Sequence, residues 1–221
     1  MKISENVHGF LWQSMTANNA NSYFIDGTKR ILIDPGHAAH FSHVESGLRE
    51  LGLSVEDIDV VLCTHAHPDH VEGVRFLKDA GAKFGLHEAD WDLVKKMAAH
   101  MGMGGEDALS RIQPDFFLQS GTLNIGDVQM EVFHTPGHSP GSLCYLIPDG
   151  KVLITGDLVF KDGVGRTDLP GGDLNLLTKS ISEVAELTAD CVLPGHGEII
   201  TDAESVKMNY QRIGRVYLDF M

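Results

Sequence analysis

The chain has 221 residues, of which 43% are hydrophobic and 22% are charged, and its formal net charge is −14. This hydrophobic fraction is sufficient for a packed core and excludes a disordered chain, and we expect a single domain over residues 1–221. The negative charge disfavours binding to the phosphate backbone of nucleic acids, so we expect a small-molecule substrate and no nucleic-acid partner.

The sequence has no segment that is typical of export or of a membrane span. The N-terminal stretch MKISENVHGF lacks the apolar core of a signal peptide. No run approaches the roughly 18 apolar residues that a membrane helix requires. We therefore expect a cytoplasmic protein with no membrane partner.

Strand-like runs occur in both halves of the chain. Short apolar runs, each closed by glycine, proline or a polar residue, predict buried strands. These runs are RILIDPG and DVVLCTHAH in the first half, and VFHTPGH, KVLITGD and CVLPGHG in the second. The three cysteines lie in or beside such runs, in an odd number and without short spacing, which disfavours a disulfide framework and a cysteine zinc site. We expect Cys63, Cys144 and Cys191 to be buried packing residues.

Helical patterns lie between these runs. Apolar residues spaced on one face predict helices at 37–51, 69–80, 88–101, 173–187 and 203–220. Asp173 is the expected N-cap of the fourth helix. The Gly-rich and polar segment at 101–115 predicts a loop, which we expect to be mobile and to lie over a functional site. Strands followed by helices, twice along the chain, predict an α/β fold.

The most informative motif is THAHPDH, at residues 64–70. It places four good metal ligands within six residues, after a predicted strand and before a predicted helix. Residues two apart in extended backbone point the same way, so His65 and His67 share one direction. Asp69 and His70 follow at the turn into the helix. One short segment can therefore contribute ligands to two adjacent metal positions.

Three further candidate ligands follow predicted strands in the second half. His138 lies in HTPGHSPG, Asp157 ends the run VLITGD, and His196 lies in LPGHGE. A lone histidine in a turn is usually a solvated surface residue. Strand ends at one edge of a sheet can converge, however, so we interpret all three together with the first motif as parts of one site.

This series of motifs resembles the signature of the metallo-β-lactamase superfamily. The order THAHPDH, TPGHSPGS, TGD and PGHG matches over about residues 20–200. The resemblance implies a four-layer αββα sandwich with metals at one edge. It implies that His65, His67 and His138 hold a first metal, that Asp69, His70 and His196 hold a second, and that Asp157 bridges both. Asp34, in LIDPG, corresponds to a strand-end aspartate that supports the ligands from behind.

The chemistry of the donor atoms agrees with such a site. Imidazole nitrogens and carboxylate oxygens suit two divalent ions, with Zn²⁺ favoured and Fe²⁺ or Mn²⁺ as alternatives. Two metals can share a bridging hydroxide, and metal binding lowers the pKa of water toward about 7. We hypothesise that Asp69 is both a ligand and the catalytic residue that orients the attacking hydroxide.

The stretch GRTDLPGGD indicates a narrower class of substrates. Together with TGDLVF it resembles the hydroxyacylglutathione hydrolase, or glyoxalase II-like, branch, and it implies cleavage of a thioester such as S-lactoylglutathione. We expect Arg166 either to bind substrate or to form a surface ion pair with Asp168 that shapes the loop. Full-length members of the branch have a longer basic C-terminal region, so another thioester or a lactone is an alternative.

An oxidoreductase is the second interpretation. Persulfide dioxygenases of the same superfamily carry a related GRTD loop. In such an enzyme a single iron would be held by His65, His138 and Asp157. A metal-binding protein without catalytic activity is a third and weaker interpretation.

Overall fold

A computed structural model describes residues 1–14, 16–101 and 109–218 of the chain. The part of the predicted 101–115 loop at residues 102–108 therefore lies outside the described residues. No helix among the described residues combines the length and the apolar composition that crossing a membrane requires.

The first half of the chain forms a six-stranded sheet. Its order is sequential from β1 to β6, with antiparallel pairing from β1 to β3 and parallel pairing from β3 to β6. Parallel pairing brings the carboxyl ends of β3, β4 and β5 to one edge. The strands are β1 (Val7–Phe10), β2 (Ser22–Ile25), β3 (Ile31–Ile33), β4 (Val60–Leu62), β5 (Lys83–His87) and β6 (Phe116–Leu118).

The second half forms a five-stranded sheet and a separate two-stranded hairpin. The sheet order is β13-β10-β9-β8-β7, and only the β10–β13 pair is parallel. The hairpin joins β11 to β12. The strands are β7 (Gly121–Ile125), β8 (Val128–His134), β9 (Leu143–Ile147), β10 (Val152–Gly156), β11 (Val159–Phe160), β12 (Gly163–Val164) and β13 (Cys191–Pro194).

In the part of the chain that the structure describes, α-helices lie outside the two sheets. They are α1 (Ser42–Glu50), α2 (Pro68–Val71), α3 (Val74–Asp79), α4 (Glu88–Met101), α5 (Leu174–Ala185) and α6 (Ala203–Ile213). The Asp173 side chain caps α5 as predicted, because its Oδ1 accepts a hydrogen bond of 3.0 Å from the Leu176 amide.

Three predicted helices differ from the observed ones. The helix predicted at 203–220 is α-helical over Ala203–Ile213 and continues as a π-helical turn over Gly214–Leu218. The helix predicted at 37–51 begins with a 3₁₀ turn at Ala38–His40, and its α-helical part is α1. The helix predicted at 69–80 is divided into α2 and α3. The division falls at Gly73, where a Cβ atom would lie 2.7 Å from the Pro35 carbonyl oxygen. The Gly73 amide donates a 2.7 Å hydrogen bond to the Gly36 carbonyl, outside the helix, and this interrupts the helical hydrogen-bond ladder.

Three hydrophobic clusters establish the order of the layers. In β2, Tyr23 and Ile25 face the space between the sheets, whereas Phe24 faces the first set of helices. This alternation is the two-residue period of a strand that is buried on both faces. The third cluster packs the far side of the second sheet against α5 and α6, through residues such as Leu177 and Val206. The αββα sandwich that the resemblance implied is therefore confirmed.

The cysteines pack largely as expected. Cys63 and Cys144 are buried, and burial raises the pKa of the Cys144 thiol to about 12. Cys191, at the start of β13, is only partly buried, so the prediction of full burial is wrong for this residue.

Candidate metal centre

The segment after β4 carries the first group of candidate ligands. His65 and His67 lie between the end of β4 and the start of α2. Pro68 occupies the first turn of α2, which suits its fixed backbone angle and missing N–H. Asp69 and His70 therefore lie in the first turn of α2, a few residues after the end of β4.

The remaining candidate ligands come from the second sheet. His138 lies between β8 and β9, Asp157 follows β10, and His196 follows β13. The last two strands are parallel neighbours, and the Gly195 amide donates a 2.8 Å hydrogen bond to the Gly156 carbonyl. A Cβ atom at Gly195 would overlap the Asp157 carboxylate, so glycine is required for this close approach.

The structure brings all seven predicted ligand residues together. Their donor atoms form three triads, and within each triad the atoms lie within 4.8 Å of one another. The Asp157 carboxylate lies 3.3 Å from His70 Nε2, 3.4 Å from His138 Nε2 and 3.5 Å from His196 Nε2. It therefore lies between the two predicted metal positions. The triads are His65–His67–His138, His65–His70–Asp157 and Asp69–His70–His196.

Hydrogen bonds at the rear fix the orientation of three histidine rings. Nδ1 of His70 is 2.9 Å from Asp34 Oδ2, Nδ1 of His138 is 2.8 Å from the Arg166 carbonyl, and Nδ1 of His196 is 3.1 Å from the Asn19 carbonyl. Carboxylate and carbonyl oxygens only accept, so each Nδ1 carries the proton and donates it. When a ring is neutral, its Nε2 therefore carries the lone pair that can bind a metal.

His65 gives the clearest test of whether a metal fits. Thr64 Oγ1 donates to Asp34 Oδ2 at 2.7 Å, so it accepts from His65 Nδ1, which lies 3.1 Å away. The opposite nitrogen, His65 Nε2, is buried and has no hydrogen-bond partner among the described residues, and the same is true of Asp157 Oδ1. An unsatisfied buried polar atom costs about 1–3 kcal/mol. Two such atoms with lone pairs directed into one site fit a bound cation.

Asp34 lies behind the ligands, as its motif predicted. Its carboxylate accepts from the Thr64 amide at 2.7 Å and from the Thr64 hydroxyl at 2.7 Å, in addition to His70. The residue is fully buried and has a φ of 54°, a left-handed conformation that Asp tolerates better than most residues. This backbone turn directs one carboxylate at both the β4 end and the His70 ring.

The sequence did not indicate a second buried carboxylate, that of Asp90. It accepts from the Ala66 amide at 2.7 Å, the Ser139 hydroxyl at 2.9 Å and the Gly141 amide at 2.6 Å. Asp90 thus joins the segment that carries His65 and His67 to the loop that carries His138. Its only signal is an acidic residue in the first turn of a helix, which is typical of any helix N-terminus.

The environment within the site lowers the pKa of some histidines and raises the pKa of others. Burial, reinforced by neighbouring histidines, lowers the pKa of His65 well below its ordinary value and that of His67 to about 4. Burial also opposes the charged form of His196, but its hydrogen bonds to Asp157 and Asp69 outweigh this and raise its pKa to about 9.

In His70 and the site carboxylates, too, the effect of neighbouring charges on the pKa outweighs the effect of burial. Against the effect of burial, the charges of Asp34 and Asp157 raise the pKa of His70 well above its ordinary value. The pKa values of Asp69 and Asp157 are lowered below their usual range, because neighbouring histidines outweigh the effect of burial. The carboxylates therefore stay ionised and the centre favours positive charge.

A cavity of about 510 Å³ opens beside the seven residues. Its apolar wall consists of Met97, Phe160, Val164, Leu169 and Pro170. Arg166 also lines it, and Nε and Nη2 of this residue donate to the two oxygens of Asp168 at 2.7 and 2.6 Å. The ion pair that the sequence offered as one alternative is therefore present, at the rim of the cavity.

Comparison with known proteins identifies the family. A family model for the metallo-beta-lactamase superfamily matches residues 15–196. The chain belongs to the metallo-β-lactamase superfamily. This superfamily member is 32% identical over 204 residues to the probable metallo-hydrolase YqgX of Bacillus subtilis (strain 168), covering 87% of this chain and 94% of the relative. It is 32% identical over 197 residues to the hydroxyacylglutathione hydrolase GloC of Haemophilus influenzae, covering 86% and 91%.

Solved structures agree with this assignment. The metallo-beta-lactamase family protein TTHA1429 of Thermus thermophilus superposes with a TM-score of 0.78 at 22% identity, covering 99% of this chain and 81% of that one. TTHA1623, solved in a di-iron-bound form, superposes with a TM-score of 0.68 at 30% identity, covering 91% and 95%. This superfamily member is accordingly a metal-dependent hydrolase by family, with His and Asp side chains grouped for divalent metals.

Proposed function

We propose that this superfamily member is a dinuclear hydrolase that cleaves a thioester bond such as that of S-lactoylglutathione. The observation that carries the proposal is the arrangement of the donor atoms. One triad, His65–His67–His138, and another, Asp69–His70–His196, share no residue, and the Asp157 carboxylate lies between them. This arrangement offers ligands for two neighbouring ions.

Bound divalent metals would lower the pKa of a coordinated water and so supply a nucleophile at neutral pH. The residues of the chain would orient that water and receive its proton. Oδ2 of Asp69 accepts from Asn18 Nδ2 at 2.7 Å and lies 3.2 Å from His196 Nε2. Both contacts are to the same oxygen, which leaves Oδ1 of Asp69 as the atom that would accept the proton. Zn²⁺ is the favoured metal, and the di-iron form of TTHA1623 supports Fe²⁺ as the alternative.

The cavity wall supports a substrate with an apolar portion next to the reacting bond. Phe160 and Val164 lie beside the ligands on this wall, and Arg166 is the cationic side chain among the lining residues. Arg166 would anchor a carboxylate of the substrate at the rim. The activity named for the relative GloC, hydroxyacylglutathione hydrolase, supports a glutathione thioester as the first substrate to test.

A persulfide dioxygenase with one iron is not favoured. It would use His65, His138 and Asp157 and would leave the triad Asp69–His70–His196 without a cation. The rear hydrogen bonds of His70 and His196 direct Nε2 of each ring toward the site just as that of His138 does. The second triad is therefore as well prepared for a metal as the first.

The test is elemental analysis of protein purified without added metal, with S-lactoylglutathione hydrolysis assayed on the same sample. We expect about two metal ions per chain and thioester cleavage that a chelator abolishes and added Zn²⁺ restores. One iron per chain, no hydrolysis, and oxygen uptake with glutathione persulfide would contradict the proposal and support the dioxygenase.

A further inference from the structure

The β11–β12 hairpin forms part of the cavity wall, beside the candidate ligand His196. Phe160 on β11 and Val164 on β12 both line the cavity, and the Phe160 ring lies 6.2 Å from the His196 ring between centroids. Each strand has only two residues. An isolated two-stranded hairpin is at best marginally stable even when longer, so contacts from elsewhere must hold this one.

The base of β11 is held by a 2.8 Å hydrogen bond from the Thr155 hydroxyl to the Val159 carbonyl and by the burial of Val159 in the third cluster. The turn end is held by Asn209, on the outer helix α6. Its Oδ1 accepts from the Asp162 amide at 2.7 Å, and its Nδ2 donates to the Phe160 carbonyl at 3.0 Å. One buried amide, 5% exposed, thus binds the backbone on both sides of the hairpin turn. Asp162 has a φ of 62°, so the turn that Asn209 holds is in the left-handed region, which most residues avoid.

Two ion pairs also reach the hairpin, but they lie in solvent. Arg212 Nη1 is 3.1 Å from Asp162 Oδ1, with the two side chains 65% and 44% exposed, and Lys161 pairs with Glu198. Exposed ion pairs contribute little to stability, whereas a buried polar group that loses its partner is costly. Asn209 is therefore the buried polar contact that determines where the turn end of the hairpin lies.

Both ends of the hairpin segment are attached to the metal centre. Asp157 lies just before β11, and the Arg166 carbonyl, just after β12, accepts from His138 Nδ1. The Gly165 amide closes the base of the segment with a 3.2 Å hydrogen bond to the Leu158 carbonyl. A displacement of the hairpin would therefore move the wall while its ends stay held.

We propose that Asn209 is a positioning residue, which fixes the β11–β12 wall against His196 and thereby sets the fit of the substrate. Within the described residues, the side-chain hydrogen bonds of Asn209 go to Phe160 and Asp162 rather than to a candidate ligand, so it acts through the hairpin. The kinetic part of this inference rests on the proposed thioester hydrolysis, whereas its structural part does not.

The test compares Asn209→Ala, Asn209→Asp and Arg212→Ala with the full-length wild-type protein. Hydrogen–deuterium exchange would measure the exchange rate of the Asp162 amide. NMR would measure the chemical shift of Cε1–H in the His196 ring, which lies beside Phe160. We expect Asn209→Ala to accelerate exchange at Asp162 about tenfold or more and to shift the His196 signal. Asn209→Asp keeps the acceptor but not the donor, so its effect is intermediate and it serves if the alanine variant does not fold. Arg212→Ala removes the exposed pair and leaves both readouts unchanged.

Kinetics with S-lactoylglutathione separate positioning from simple stabilisation. We expect Asn209→Ala to raise KM about five- to tenfold, with kcat within about threefold and metal content unchanged. Unchanged exchange at Asp162 would overturn the proposal. Faster exchange with an unmoved His196 signal and an unchanged KM would also overturn it, since Asn209 would then only stabilise the fold. If the wild type hydrolyses no thioester, the proposed function fails, and exchange together with the His196 signal still decides the role of Asn209.

Discussion

The buried part of the metal centre, which we call the floor, consists of His65, His70 and the residues that orient them. It is built differently from the cavity wall. On the floor, His65 and His70 are fully buried, and their ring nitrogens are oriented by Thr64 and Asp34. The wall includes a short hairpin whose turn is held by a distant helix, followed by an exposed loop that carries Arg166. The floor therefore fixes the position of the metals, whereas the wall can vary its fit without disturbing them. Substitutions in each region test whether metal binding and substrate fit are independent.

We expect the strongest effect to be a loss of turnover on substitution of Asp69, a candidate ligand that also lines the cavity. Asp69→Ala removes both a candidate ligand and the proposed proton acceptor, so we expect kcat for the thioester to fall by about 10²–10⁴-fold. The measurement is steady-state kinetics with metal content determined on the same sample. Asp92→Ala, at an exposed residue of α4, is the control. Full activity of Asp69→Ala with metal still bound would remove the catalytic role of Asp69.

The next effect is on stability, on the floor. Asp90→Asn replaces an acceptor of three hydrogen bonds with an amide whose NH₂ group cannot accept. We expect a cost of about 2 kcal/mol, which for a chain of this size lowers Tm by about 4–8 °C. The matched control is Asp92→Asn on the same helix, where the side chain is half exposed. Equal melting temperatures of the two variants in thermal unfolding would refute a stabilising role for the Asp90 hydrogen bonds.

A smaller effect is expected on substrate binding, at the wall. If Arg166 anchors a substrate carboxylate, Arg166→Ala raises KM, and Asp168→Ala, which frees the guanidinium, lowers it. We expect opposite changes of about threefold, with kcat and metal content unchanged, because the Arg166 backbone carbonyl still accepts from His138. Changes of KM in the same direction in both variants would mean that the ion pair only shapes the loop.

The weakest effect concerns acid stability, at a stacked pair of histidines outside the set of candidate ligands. His87 and His134 stack with ring centroids 4.1 Å apart, and burial together with His134 lowers the pKa of His87 to about 4. Between about pH 6.5 and pH 4 the unfolded chain binds a proton at His87 that the folded chain does not, so folding stability falls as pH falls through this window. Chemical denaturation should show a shallower fall for His87→Gln, with equal slopes above about pH 7. Parallel curves throughout would contradict the lowered pKa.

The sequence predicts the floor better than the wall, for a physical reason. His65, His67, Asp69 and His70 occupy one short run, so their proximity follows from chain connectivity. Strand ends that share an edge of a sheet explain how Asp157 and His196 come to lie beside them. The layer order required the family resemblance, since periodicity predicts strands and helices but not how the two sheets face each other.

The residues that sequence reasoning missed act over long separations. Asp90 binds Gly141 across the sandwich, and Asn209 binds Phe160 within its second half. No local sequence pattern connects the elements of either pair. Each of these residues is polar and lies on a helix, where its most common role is solvent exposure. Only their burial, at 0% and 5% exposure, distinguishes them, and burial at that scale depends on tertiary packing.

The segment from Asp157 to Arg166 leaves the metal centre and returns to it, which constrains how this protein can diversify. An inserted residue would displace the returning chain by about 3.3–3.6 Å. A hydrogen bond tolerates only about 0.5 Å, so the Arg166 carbonyl could no longer hold His138. We therefore expect insertions and deletions in this segment to disturb the His138 ring. New substrate ranges would arise by substitution at wall positions such as Phe160 and Val164, and a designed library should randomise those positions at constant length.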